Sequence, residues 1–364
     1  MNKIIENTKA QEMEEVDEKN PKPFVSVVVP AYNEEAIVEE NLSKICKYMD
    51  SIEDEYDWEL IFIDDGSTDS TGEKADSFAK SRDNVHVLHH IVNFNLGQAL
   101  RYGFNNCRGE YVVTMDLDLS YSPDHIKKLL DAIRQTKAKV VIASPYMKGG
   151  KVLNVPRMRL FLSVWANRFL SLAAKGKIRT ITGMVRAYDS EFIHSLNLKA
   201  MDYEINPEII YKAQLLRARI IEIPAHLDWS LQNGKGRLRK SSMKFVRGII
   251  SGLFSGFLFR PFMFFLLPGL FLLLVSLYPV VWTIIHTFSY FQKIPPSSGP
   301  IDYRLSDAVA AAFSQAPHAF IIGGICLMLG FQLVSLGIIA LQNKRYFEEI
   351  FHLGTAIYKG KNVI

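Results

Sequence analysis

Only three of the 364 residues are cysteine, Cys46, Cys107 and Cys326. Their odd number and the lack of Cys-x-x-Cys spacing point to neither a disulfide framework nor a zinc site. The first strand-like run, from Phe24, leads into Ala31-Tyr32-Asn33-Glu34-Glu35 instead of G-x-G-x-x-G, and G-x-x-x-x-G-K-[ST] occurs nowhere. A dinucleotide-binding Rossmann domain and a P-loop NTPase are therefore disfavoured, and any phosphate bound here calls for a metal. The N-terminal segment has no apolar run. It carries Glu12, Glu14, Glu15, Asp17 and Glu18, which is not a signal-peptide pattern, and it reads as a disordered tail over residues 1–22. Charge is missing altogether from two stretches, between Arg260 and Lys293 and between Asp307 and Lys344. Each is longer than the roughly 20 apolar residues that cross about 30 Å of hydrocarbon, so two membrane spans are expected, near residues 261–287 and 317–342.

What charge there is clusters. The net charge is only +4, yet Lys235, Arg237, Arg239, Lys240, Lys244, Arg247 and Arg260 all precede the first span, and Lys344, Arg345, Lys359 and Lys361 follow the second. The intervening loop, with Pro295, Pro296 and Pro300, holds Lys293 and Arg304 against Asp302 and Asp307. The positive-inside rule then puts both termini on the cytosolic side and the loop outside, in an integral protein of a plasma or inner membrane. Basic residues beside a span fit anionic headgroups better than nucleic acid. Met243, Val246, Ile249, Ile250, Leu253 and Phe257 recur at helical spacing opposite Lys244, Arg247, Ser251 and Ser255. That pattern predicts an amphipathic helix lying in the membrane interface over residues 241–259.

From Phe24 to Ala143 short β-branched runs alternate with amphipathic stretches. Strands are expected at Phe24–Val29, Glu59–Ile63, Val85–His89, Glu110–Met115 and Lys139–Ala143, with helices at Glu34–Met49, from Ser70, Leu96–Asn105 and Pro123–Arg134. Such alternation implies right-handed βαβ units and a mainly parallel α/β sheet. These sheets bind ligands at the carboxyl ends of their strands. Here those ends carry Pro30 to Glu34, Asp64-Asp65-Gly66-Ser67 and Asp116-Leu117-Asp118. One Asp-Asp-Gly after a strand is an ordinary turn, but three polar clusters on one rim make a binding site. An Asp-x-Asp pair suits Mg²⁺ or Mn²⁺, whose remaining positions take substrate phosphates.

Several segments resemble glycosyltransferase family 2, in particular its polyprenyl-phosphate branch. They are Val25–Glu35, Ile63–Asp69, Asn95–Ala99, Gly109–Tyr111, Met115–Ser120 and Thr182–Arg186. The resemblance implies a GT-A fold over a cytosolic catalytic domain at residues 23–240. The interfacial helix would follow, then a two-span region at 260–343 and a cytosolic C-terminal tail at 344–364. It implies that Pro30, Tyr32, Glu34, Asp64 and Asp65 hold a UDP- or GDP-linked sugar donor, and that Asp116 and Asp118 hold the metal and diphosphate. Lys235 and Arg237 would sit in a loop that closes over the donor. Ser120 stands where many members have Gln.

For the acceptor, the resemblance implies a polyprenyl phosphate contacted by Arg159 and Ser163, with Arg159 also catalytic. Pro145 replaces an arginine usual in the family, and Arg157 or Lys148 could supply the missing charge. Arg157 and Arg159 could instead meet lipid headgroups. Two unit charges 4 Å apart interact by about 4 kcal/mol at an effective dielectric of 20, so basic groups are needed where an anionic acceptor meets an anionic donor. A phosphomonoester with a second pKa near about 6 arrives deprotonated and needs no general base. Glu208 matches an acidic position of the family, or is a carboxylate at a helix N-terminus. The implied reaction is inverting transfer of one sugar to a polyprenyl phosphate, by a protein that could self-associate. The alternative is a family 2 membrane enzyme making a polysaccharide or glycolipid. Gln214-Leu215-Leu216-Arg217-Ala218 lacks the tryptophan of the processive synthases' Gln-x-x-Arg-Trp.

Overall fold

The structure is a computed structural model describing residues 22–173, 178–230 and 261–361. It divides into two compact units, Met1–Gly252 and Leu253–Ile364.

The first unit is built on a seven-stranded sheet. Its first half alternates β1 (Phe24–Ala31), α1 (Val38–Asp50), β2 (Asp57–Asp64), α2 (Thr71–Ala79), β3 (Val85–His89), α3 (Asn95–Asn105), β4 (Tyr111–Thr114), α4 (Asp124–Thr136) and β5 (Val140–Ser144). β1 reads Phe-Val-Ser-Val-Val-Val-Pro-Ala and is buried almost end to end, as expected of a parallel strand covered by helices on both faces. Val25, Val27 and Val29 join Val38, Leu42, Ile45 and Met49 of α1 in the main core. α4 turns His125, Ile126, Leu129, Leu130 and Ile133 inward and stops at Lys137, which takes the left-handed C-cap conformation (φ 51°).

The remaining elements of this unit are β6 (Lys151–Leu153), α5 (Arg157–Ala173), β7 (Arg186–Asp189), α6 (Ser190–Ser195), α7 (Ile205–Leu215), β8 (Ile220–Pro224) and β9 (His226–Asp228). The sheet order is β3-β2-β1-β4-β7-β5-β8, and β6 pairs with β9 in a small ribbon. The mainly parallel sheet of the sequence reading is present. β7 is antiparallel to both β4 and β5, whereas the other pairs in the sheet are parallel. The carboxyl ends of β1, β2, β4 and β5 therefore share one edge, where β7 begins.

In the second unit, α8 (Pro261–Lys293) and α10 (Pro317–Lys361) contain the two apolar windows, Phe262–Lys293 and Pro317–Gly354. Only 17% and 11% of the window residues are buried, which separates these helices from the core helices of a soluble protein. Pro268 and Pro279 lie inside α8, a position tolerated in membrane helices. Gly323, Gly330 and Gly337 of α10 recur every seven residues along one seam. A Cβ added at these positions would meet Pro279, Leu273 and Leu266 of α8 at 3.0, 2.8 and 3.1 Å. Small residues there let the two helices approach closely.

Two features depart from the sequence reading. The Pro-rich loop holds a fifteen-residue helix, α9 (Ile301–Gln315), whose Ala308 and Ala312 are buried. Arg304 donates to Ile294 O at 2.9 Å and lies 4.7 Å over the Phe291 ring, holding the start of α9 against the end of α8. In addition, α10 continues beyond the expected span at 317–342 to Lys361, with Lys344 and Glu348 paired one turn apart at 3.6 Å. Of the tail expected at residues 1–22, all but Lys22 lies outside the described residues, as does the whole interfacial helix expected at 241–259.

Candidate active site

The rim at the ends of β1 and β2 is a pair of laced loops. Ala31 and Asp64 are register partners, and Asp65 N donates to Ala31 O at 2.9 Å. Beyond them Asn33 N reaches Ser67 Oγ, Thr68 N reaches Asn33 Oδ1, Glu34 N reaches Thr71 Oγ1 and Ser70 N reaches Glu35 Oε2, all at 2.8–3.2 Å. Asn33 tolerates the positive φ of 55° needed there. Pro30, Tyr32 and Glu34 stay half-exposed on this framework.

Asp64 and Asp65 are both buried, and their carboxylates are engaged within the fold. Asp64 accepts from Ser67 N at 3.0 Å and pairs with His89 Nδ1 at 3.1 Å. Asp65 Oδ1 takes His90 Nδ1 at 2.7 Å and Phe94 N at 3.0 Å, with the His90 ring stacked on Tyr102. Burial opposes protonation of His89, but hydrogen bonds to Asp64 and Asp76 outweigh it and raise its pKa. The turn that follows the two carboxylates requires Gly66, which sits at φ 68°. A Cβ there would lie 2.3 Å from the Val92 carbonyl carbon.

After β4 the chain alternates. Leu117 and Leu119 are 3% and 6% exposed, while Asp116 and Asp118 are half-exposed. Several bonds fix this segment. Asn41 Nδ2 of α1 donates to Leu117 O at 2.9 Å, Asp228 N of β9 donates to Ser120 O at 2.8 Å, and Ser120 N donates to Asp118 Oδ1 at 2.9 Å. Among the described residues no group of three or more His, Cys, Asp or Glu could enclose a metal ion. Two neighbouring carboxylates on a strand end nevertheless suit a hard cation that completes its shell with water and substrate phosphates, as Mg²⁺ does. Tyr121 is buried beside them. Burial first, then the Asp116 carboxylate, pushes its phenol well above the usual range and keeps it protonated.

Across the rim, Pro145 and the following residues lead to α5. Tyr146 Oη and Ser163 Oγ are 2.7 Å apart, and burial raises the Tyr146 pKa against the opposing effect of that hydrogen bond. Tyr121 is within electrostatic reach of Asp116, Asp118 and Tyr146. Lys148 and Arg157 are exposed. Arg159 lies on α5 with its side chain outside the described residues, as are Lys235 and Arg237 entirely.

Sequence reasoning assigned no role to Asn167, although it fastens α5 to the rim. It is 2% exposed. Its Oδ1 accepts from Ile181 N and Thr182 N, and its Nδ2 donates to Ser163 O. Its cue in the sequence is an amide in the apolar-rich stretch Leu160–Leu172, which also holds Ser163, Arg168 and Ser171. Arg186 is likewise buried. It donates to the carbonyls of Gly183, Ile181 and Asn206, and desolvation lowers its pKa. Glu208, read two ways in the sequence, accepts from Lys199 N and Ala200 N and pairs with Lys212 at 2.6 Å, both side chains being under 10% exposed. This is a structural ion pair.

The description "Glycosyl transferase family 2" matches residues 26–196. A dolichol-phosphate mannosyltransferase of Pyrococcus furiosus is 32% identical over 55% of this chain. The chain spans about half that relative's length, 55%. A polyprenol monophosphomannose synthase of Mycolicibacterium smegmatis is 34% identical over 54% of this chain and 75% of its own length. Among solved structures, glucosyl-3-phosphoglycerate synthase of Mycobacterium tuberculosis, in complex with Mn²⁺, UDP and phosphoglyceric acid, has a TM-score of 0.44 at 22% identity. That match covers 57% of this chain and 69% of the other.

Proposed function

The chain belongs to glycosyltransferase family 2, and from that premise we propose that it moves one sugar, with inversion, from a nucleotide-sugar to a polyprenyl phosphate at the cytosolic face of a membrane. The observation carrying this reading is the shared rim, on which the β1 and β2 loops are laced together and Asp116 and Asp118 project beside them. The names of the relatives and the two long apolar helices support the lipid acceptor.

In this reading Pro30, Tyr32 and Glu34 line the nucleoside side of the rim, with Asp64 and Asp65 bracing it from within. Asp116 and Asp118 would hold Mg²⁺ or Mn²⁺, which supplies Lewis-acid stabilisation of the departing diphosphate. The donor is UDP- or GDP-linked. The acceptor phosphate arrives deprotonated, so the chain needs cations to attract it more than a base to activate it. Lys148, Arg157 and Arg159 are those cations. The Tyr146–Ser163 hydroxyl pair would orient a phosphate oxygen from the α5 side, with Arg159 and Ser163 one turn apart. Lys235 and Arg237 would close over the donor.

The test is a choice of acceptors. Purified full-length protein with a divalent metal should transfer labelled sugar to a short polyprenyl phosphate and leave the corresponding polyprenol untouched. Transfer only to oligosaccharides would overturn the reading in favour of a polysaccharide synthase.

A further inference from the structure

Tyr121 lies three residues beyond Asp118 and is 5% exposed, with its ring packed into the main core. The chain before it is fixed, because Ser120 N donates to Asp118 Oδ1 at 2.9 Å and Ser120 O accepts from Asp228 N at 2.8 Å. The His125 ring meets the Tyr121 ring edge-on, with centroids 5.7 Å apart and planes at 86°. His125 is held in turn, its Nδ1 donating to Ser122 O at 2.9 Å and its Nε2 accepting from His226 N at 3.1 Å. Tyr121 is thus clamped in one orientation.

Its hydroxyl is left without a protein partner. Buried hydroxyls ordinarily find one, as Tyr146 Oη does in Ser163 Oγ at 2.7 Å. Among the described residues Tyr121 Oη makes no hydrogen bond. Nor is it among the polar side-chain atoms that the described residues seal from solvent unpaired, so the small exposed part of Tyr121 includes its hydroxyl.

The groups that act on it electrostatically are Asp116, Tyr146, Arg186 and Asp118. Arg186 is committed to the carbonyls of Gly183, Ile181 and Asn206. The other three belong to the two ends of the proposed reaction, Asp116 and Asp118 to the metal and diphosphate and Tyr146 to the acceptor phosphate. In a displacement the nucleophile, the reacting carbon and the leaving oxygen fall in line, so the sugar being transferred lies between those ends. A neutral hydroxyl both donates and accepts, which matches a sugar hydroxyl, whereas the anionic oxygens at either end call for cations.

We propose that Tyr121 is a specificity-determining residue that hydrogen-bonds a hydroxyl group of the transferred sugar. The inference rests on the nucleotide-sugar reading of this site. It adds that a rigid phenol discriminates among sugars, because a sugar without the matching hydroxyl leaves a polar group of the site unpaired.

Tyr121→Phe removes the oxygen and keeps the ring. The test is calorimetric titration of the full-length wild type and variant, with Mn²⁺, using UDP-glucose, UDP-N-acetylglucosamine and GDP-mannose, each beside its bare nucleoside diphosphate. The nucleotide-sugar that wild type binds should bind about tenfold more weakly to the variant, as for one lost hydrogen bond. UDP or GDP alone should bind both proteins alike. The unfolding midpoint should not fall, since the hydroxyl has no protein partner to lose. Equal affinity of the two proteins for that nucleotide-sugar would overturn the proposal while the proposed function stands. Equal weakening toward the bare diphosphate would also overturn it, by moving Tyr121 to the phosphates. A wild type that binds neither nucleotide nor nucleotide-sugar would remove the underlying reading, and this proposal with it.

Discussion

Replacing Glu208 with Gln separates a structural from a chemical role at an acidic position that the family resemblance marks. Glu208 and Lys212 are 2.6 Å apart and under 10% exposed, and Lys212 also donates to Asn197 O. Removing one partner of a buried pair costs about 3–5 kcal/mol, because the other charge is left uncompensated. Gln keeps a carbonyl oxygen for the Lys199 and Ala200 amides, so the lower end, about 3 kcal/mol, is expected. For a domain of this size each kcal/mol shifts the midpoint by about 2–4 °C, giving a fall of about 6–12 °C. Adding Lys212→Met should restore most of it, since an apolar substitute leaves no orphaned charge. The assay is thermal unfolding of the purified full-length chain, alongside the initial transfer rate well below the midpoint. The Glu208→Gln rate should stay near wild type. A lost rate with an unchanged midpoint would refute this account and place Glu208 in the chemistry.

Gly66→Ala should lower both stability and donor affinity, because its Cβ would collide with the Val92 backbone at a positive φ, whereas Gly354→Ala, with open space around it on α10, should lower neither. Parallel thermal and nucleotide-binding measurements on the two variants check this. His125 is buried and its pKa lowered by desolvation, while its Nε2 accepts from His226 N at 3.1 Å. The unfolded chain then takes up the proton first, so this group costs stability as pH falls below about 6.5 and is silent above it. Denaturation curves across that range should show a shallower acid loss for His125→Asn than for wild type, and equal slopes would exclude His125 as a source. Arg159→Ala should raise the KM for the lipid phosphate more than that for the donor, and equal effects in steady-state kinetics would move Arg159 to the donor side or to general stability.

Much of the first unit was legible because its strands are apolar on both faces and its helices are strongly amphipathic. β3 matches its expected bounds, and β1, β2, β4 and β5 lie within a few residues of theirs. β7 escaped notice because Arg-Ala-Tyr-Asp has no apolar alternation to reveal a four-residue strand, and its burial comes from neighbours distant in sequence. α9 was hidden by the prolines before it, although Ile301, Leu305, Val309 and Phe313 recur every four residues. The rim was readable in outline, since strand-end acids mark such sites. Which carboxylates face outward was not, because that depends on partners such as His90, Ser67 and Asn41 brought in by the fold.

The central claim is that the Asp116-Leu117-Asp118 strand end holds a donor diphosphate through a divalent cation. Its most direct test is calorimetric titration of UDP and GDP into the full-length protein, with and without Mn²⁺, for wild type and Asp118→Ala. The account predicts metal-dependent binding of one nucleotide to wild type and its loss in the variant. The variant should still unfold cooperatively, and the hydrogen bond that Asp118 accepts from Ser120 N accounts for about 1 kcal/mol of any loss in its stability. Binding of equal strength in both proteins, or binding indifferent to the metal, would contradict it.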